Sequence, residues 1–377
     1  MADYAYINTR IRSMEADLLT ERQLRELMSC RELSNAVSYL KKSAYGVYFH
    51  EAANEAGAQR SMKISGTRMS RLSTIDGVFQ PRLWAFSDEA IRRSLSDSIK
   101  KLATIAKGED ENLIEILLGR WDVFNIKTLI RGKLNNIPSF EVLQATIPAG
   151  SLNEGLLEEI YKQPSVNQVI SMLVTIGFSY ASPLLKIKYI HEIDLFKGEL
   201  ELEKSFFSFF LRKLSTSEKR DINSKIVHNF MQLLIDRYNI IAAVRMSEEG
   251  FDADDKSNYF IEGGRIISPE VYKKMIRSRD ITECISMIES NEWKNRWNRF
   301  SSKIHITSPA LLVEKWMDYE ILMHAIKLPR EDPLNIGLAV SYIWKKINEV
   351  INLRTILRGI QFNIPQDEIE GLLIITS

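Results

Sequence analysis

Nine residues of this chain have types and spacing that chemistry could use. Asp122, Asn125 and Arg131 form one trio, and the same order of acid, amide and guanidinium returns as Asp236, Asn239, Arg245 and as Glu349, Asn352, Arg358. A carboxylate can move a proton, an amide can orient a polar group and a guanidinium can hold an anion, so a trio has the parts of an acid–base site. Three trios argue against that use, because no nucleophile or histidine stands beside any of them. Geometry argues the same way. On a helix the acid and amide share one face on adjacent turns, whereas the arginine emerges roughly on the opposite side.

The packing reading fits better. Asparagine is a poor helix former, so Asn125, Asn239 and Asn352 inside helices imply amides that bond backbone or side chains of a neighbouring helix. Arg131 and Arg358 each precede a glycine, which suits a helix C-terminus with the cation on the dipole and Gly132 or Gly359 in the left-handed cap. Arg245 lacks that glycine, and its helix is expected to run on toward Gly250.

The trios mark a threefold internal repeat, with the asparagines 114 and 113 positions apart. Paired short helices repeat as well: Leu18–Leu40, Ser151–Leu173 and Arg265–Ile288 align with Leu19, Leu152 and Ile266 in register. The first pair opens on Thr20 and Gln23, a capping box, after a helix expected from Tyr4 to Leu19. Connectors share the period, Ile147-Pro148-Ala149-Gly150 against Ile261-Glu262-Gly263-Gly264, and the third unit ends at Leu373-Ile374-Ile375. The predicted domains are residues 1–146, 147–260 and 261–377, with a basic, Ser-rich insertion at about 54–82 that contains Gln59 to Gly77. One-sided helices and only 17 Gly and 10 Pro make the fold class all-α.

Composition narrows function further. Fifty Lys and Arg against 49 acids advertise neither nucleic acid nor anionic lipid as a partner. Cys30 and Cys284 read as reduced and packed, and the N-terminus shows no basic segment leading an apolar one, which predicts a cytoplasmic chain. The stretch Met231 to Val244 is broken by Asp236, Arg237 and Asn239, so no membrane span is predicted. The histidines lack metal-ligand spacing, and Arg131-Gly132-Lys133-Leu134 is no phosphate loop, so no cofactor, metal or catalytic residue is expected. Asp252, Asp254 and Asp255 could hold magnesium in an all-α enzyme but read as a solvated turn. Trp293, Trp297, Trp316 and Trp344 read as core.

Taken together, the chain resembles the C subunit of archaeal and bacterial V-type ATPases, the relative of the eukaryotic d subunit. The resemblance is carried by Tyr4, Tyr6, Asn8, Arg10 and Arg12; Leu18-Leu19-Thr20; Tyr45-Gly46; Asp122, Asn125, Lys127, Arg131-Gly132; and Asn352-Leu353-Arg354 with Arg358-Gly359. Ile241, where the other units have Lys127 and Arg354, departs from it. The resemblance implies three tandem homologous helical domains arranged as a pseudo-threefold funnel, without catalysis. Its members couple the central stalk, of D and F type subunits, to the membrane rotor ring on the cytoplasmic side, one copy per complex, touching the membrane only through the ring. The alternatives are a generic helical scaffold of another cytoplasmic complex and a metal-dependent all-α enzyme.

Overall fold

The computed structural model describes residues 4–51, 76–106, 111–187, 192–215, 221–248, 257–278, 280–302, 304, 306 and 308–376. Every regular element among them is helical, so the fold is all-α. In order these are α1 (Tyr4–Glu15), α2 (Glu21–Met28), α3 (Leu33–Leu40), α4 (Asp76–Ile105), α5 (Glu111–Leu134), α6 (Ser139–Ala145), α7 (Glu154–Lys162) and α8 (Val166–Thr175). A 3-10 helix (Ser179–Lys186) follows, then α9 (Glu192–Ser215), α10 (Ile222–Glu248), α11 (Pro269–Met275), α12 (Ile281–Ser286) and α13 (Asn291–Ser301). The chain closes with α14 (Pro309–Glu331), α15 (Gly337–Gln361) and α16 (Gln366–Leu372).

Short helices start where the sequence offers a cap. Thr20 and Gln23 form the reciprocal capping box of α2. Asn153, Ser165, Ser268 and Asp280 accept from the N–H three residues on at α7, α8, α11 and α12, each worth about 1 kcal/mol. These helices bury one stripe, such as Leu24, Leu27 and Met28 on α2. The three long helices that carry the trios, α5, α10 and α15, are apolar on most sides and sit deep in the protein.

The chain divides into two compact units. One holds residues 106–340 with the first four residues, and the other holds residues 5–105 and 341–377. In the first unit α5 packs on α6, α8, α9 and α10, and α10 packs in turn on α11, α12 and α14. Its core includes fully buried Trp316, with Trp293 and Trp297 edge-on at 5.7 and 5.1 Å between ring centroids. Cys284 is buried, which pushes its thiol up to about 12. The second unit pairs α2 with α3 and α3 with α4, and α15 and α16 join them through contacts described below.

Several boundaries differ from those the sequence predicts. Helix α1 stops at Glu15 rather than Leu19, because the Leu19 N–H is taken by the side chain of Glu349. Helix α4 already runs from Asp76, so the end of the proposed insertion is helical; residues 52–75 and the Asp252, Asp254, Asp255 cluster lie outside the described residues. The cap glycines are a correction as well. Asn136 and Asn363, at φ 52° and 53°, take the left-handed position, and the Ile137 and Ile364 N–H groups donate at 2.9 Å to the carbonyls of Gly132 and Gly359. Asparagine tolerates that conformation. The glycines are helical and serve close approach instead: a Cβ on Gly132 would lie 2.4 Å from Val142, and one on Gly359 2.4 Å from Ile369.

Gly132→Ala therefore tests cap against contact. Overpacking against the stiff Val142 costs about 1–3 kcal/mol and outweighs the roughly 1 kcal/mol gain in helix propensity. The urea midpoint should fall for the single variant, and adding Gly132→Ala to Val142→Ala should raise it. A rise for the single variant would refute the close approach.

Candidate functional site

Each asparagine of the trios makes a two-bond clasp. Asn125 donates through Nδ2 to the Ile147 carbonyl at 2.7 Å and accepts the Ile147 N–H at 2.8 Å. Asn239 does the same with Ile261 at 2.8 and 2.9 Å, and Asn352 with Ile374 at 2.9 and 3.2 Å. The span is 22 residues each time. The partner is the extended backbone after the long helix and its short follower, not a neighbouring helix as the sequence suggests. That backbone has no helix or strand partner of its own, so the amide satisfies a buried donor and acceptor together.

The acids act on the start of the next helix pair. Asp122 accepts the Ser151 and Leu152 N–H groups at 2.9 and 2.8 Å. Asp236 accepts those of Arg265, Ile266 and Ile267 at 2.9 to 3.1 Å. The glycines of the connectors make room, since a Cβ on Gly150 or Gly264 would stand 2.3 Å from the carboxylate oxygen. Glu349 acts on the helix pair at the other end of the sequence. It accepts from Leu19 N–H, at the position equivalent to Leu152 and Ile266, and also takes Tyr45 Oη at 2.6 Å and Lys346 Nζ at 2.8 Å. The acid of the third repeat therefore serves the helix pair of the first.

The arginines are not brought to the acids of their own trios. Arg131 forms a bidentate pair with Glu199 at 2.5 and 2.6 Å, Arg245 pairs with Glu314, and Arg358 lies over the Trp84 ring at 4.9 Å. A second row of cations runs beside them. Lys127 pairs with Glu203, and Arg354 with Asp88 at 2.7 and 3.2 Å. Ile241 cannot pair and is buried; Arg237, one turn earlier, reaches Asp318 at 2.8 Å instead. The partners on α4, α9 and α14 form two series, Trp84, Glu199, Glu314 and Asp88, Glu203, Asp318, each spaced by 115 residues. The acids of the second series recur at nearly the period of the asparagines, a signal that stands out from the other surface acids only beside the cations they face.

The site is thus a set of joints. Among the described residues no group of three or more His, Cys, Asp or Glu is placed to hold a metal. Burial pushes the Asp122 and Asp236 carboxyls up to about 6, against the backbone N–H groups that favour the ionised form. The folded chain then holds these protons more tightly than the unfolded one, so their contribution to stability falls as pH rises from about 4 to about 6, by up to roughly 3 kcal/mol for each group. Asp236→Asn removes that titration. Whatever fixed cost the amide brings, the variant's stability relative to the parent should rise across this interval in urea unfolding at pH 4 and pH 7; a constant difference would count against it. Asn125→Ala strands the Ile147 N–H and leaves its carbonyl with the Ala149 N–H alone, and should cost about 1–3 kcal/mol in the same assay.

Comparison with known proteins gives these joints a setting. The family described as ATP synthase (C/AC39) subunit matches residues 7–64 and 85–372. The A-type ATP synthase C subunit of Pyrococcus abyssi is 26% identical over 374 residues, covering 98% of this chain and 90% of that protein. That of Methanocaldococcus jannaschii is 25% identical over 376 residues, covering 99% and 87%, and that of Haloferax volcanii 25% over 370 residues, covering 98% and 97%. The chain belongs to the ATP synthase (C/AC39) subunit family.

Proposed function

We propose that the chain is the non-catalytic socket of a rotor, which couples the central stalk of a V-type ATPase or A-type ATP synthase to the membrane ring. The observation that supports this most is the joint between the last repeat and the first. A part that carries torque through three repeats would shear at any free edge, and here Glu349 on Leu19 N–H and Arg354 on Asp88 tie the last repeat to the first. Arg25 on Glu370 and Lys345 on Glu15, the latter at 2.8 Å, reinforce the same seam. We read the three repeats as a pseudo-threefold funnel whose interior takes stalk subunits of D and F type and whose narrow end meets the ring. One copy per complex then suffices, on the cytoplasmic side, and membrane contact goes through the ring; no helix among the described residues is long and apolar enough to cross a membrane.

Reconstitution tests the reading. Head, stalk and ring assembled in vesicles without the chain should hydrolyse ATP but transport no ion, and adding the chain should restore transport. Equal transport without it, or recovery of the chain with a complex that lacks both stalk and ring, would overturn the proposal.

A further inference from the structure

The repeats differ at one joint in a way that packing does not require. Arg131 and Arg245 each find a glutamate, Glu199 and Glu314, and the third member of that 115-residue series is Trp84. Arg358 is exposed and stacks on the Trp84 ring at 4.9 Å, and it forms no ion pair among the described residues. One turn further on, Phe362 is 68% exposed, and Ile364 is at the surface too. The first repeat carries Asn135 where the third has Phe362, and that amide is spent on the Arg131 carbonyl at 2.8 Å. An arginine held on a tryptophan beside an exposed phenylalanine has the composition of a protein-binding hot spot.

We infer that Arg358, Trp84 and Phe362 form a docking point for an acidic segment of the central stalk, which supplies in trans the carboxylate that Glu199 and Glu314 supply in cis. The inference rests on the socket reading above. Three near-equivalent repeats offer an asymmetric stalk three near-equivalent orientations. One cation that forms no ion pair among the described residues, beside aromatic surface, makes a single orientation preferred, because there, unlike at Arg131 and Arg245, a stalk carboxylate meets a guanidinium with no glutamate on it.

Trp84→Glu is the informative change, since it restores at the third joint the acid that the other two possess. The full-length chain is titrated with the purified central stalk of the same complex in a calorimeter. Trp84→Glu and Arg358→Gln should each weaken binding by about 10- to 100-fold, the loss of a charge-assisted contact. Trp84→Phe, which keeps a ring under the guanidinium, should lose about fivefold or less. Arg358→Glu should be rescued by changing one stalk carboxylate to lysine. Unfolding midpoints measured in parallel separate lost contact from lost fold, and Arg358→Gln reports even if Trp84→Glu disturbs α4. Parent-like affinity for both Trp84→Glu and Arg358→Gln would overturn the docking point and leave the socket intact. No binding of the stalk by the parent chain would overturn the socket itself, and the docking point with it.

Discussion

The structure depends on backbone that has no regular partner. After each long helix the chain must return in extended form to begin the next pair, and its buried N–H and C=O groups need hydrogen bonds that neither a helix ladder nor a sheet provides. The long helix supplies them from inside: one amide for a single isoleucine and one carboxylate for the first N–H groups of the next pair. Asp122 and Asn125 are both essentially inaccessible, at 2% and 0% exposure. Burial gives the arrangement its force, since either group without its partners would cost several times what a bond at the surface is worth. The glycines at 150 and 264 follow from this contact, and the glutamate at 349 makes the same kind of contact to a segment more than 300 residues away in sequence.

The cation rows are a weaker layer on the same frame. Their side chains are partly exposed, and each pair contributes about 1 kcal/mol or less. That tolerance explains why the residues change while the pairing persists. Arg237 replaces a cation one turn away when Ile241 turns into the core, and aspartate or glutamate serves equally on the facing helix. Residues four apart lie on one helix face, so the donor can move a turn without losing its target. The amide and carboxylate joints show no such drift beyond the Glu349 exchange.

Much of this is legible in the residues themselves. The period of the asparagines, the alignment of the short helix pairs, the capping box at Thr20 and the apolar lining of the long helices define an all-α repeat protein on their own. Their partners are not legible, for a physical reason. Asn125 bonds main-chain atoms of Ile147, and main-chain atoms leave no mark on residue type. Gly132 misleads because glycine serves both a left-handed cap and a close approach, and only the position of Val142 tells them apart. Glu199, Glu203, Glu314 and Asp318 are hidden among many surface acids, and their period emerges once the residues they face are known.

Polar joints of this kind set register more than strength. The apolar core around Trp316, or beneath α2 and α3, would accept a helix displaced by a turn with modest loss, because dispersion and burial are nearly indifferent to which leucine meets which. The carboxylate is not indifferent. Displace α10 by one residue and Asp236 leaves three N–H groups unpaired while keeping its own burial, a penalty of several kcal/mol with nothing to offset it. Three such joints, each intolerant of slippage, convert soft apolar contacts into repeats that each have one permitted arrangement. For the socket proposed above that property would matter more than additional stability, because a joint that slipped by a turn would dissipate the torque it is proposed to carry.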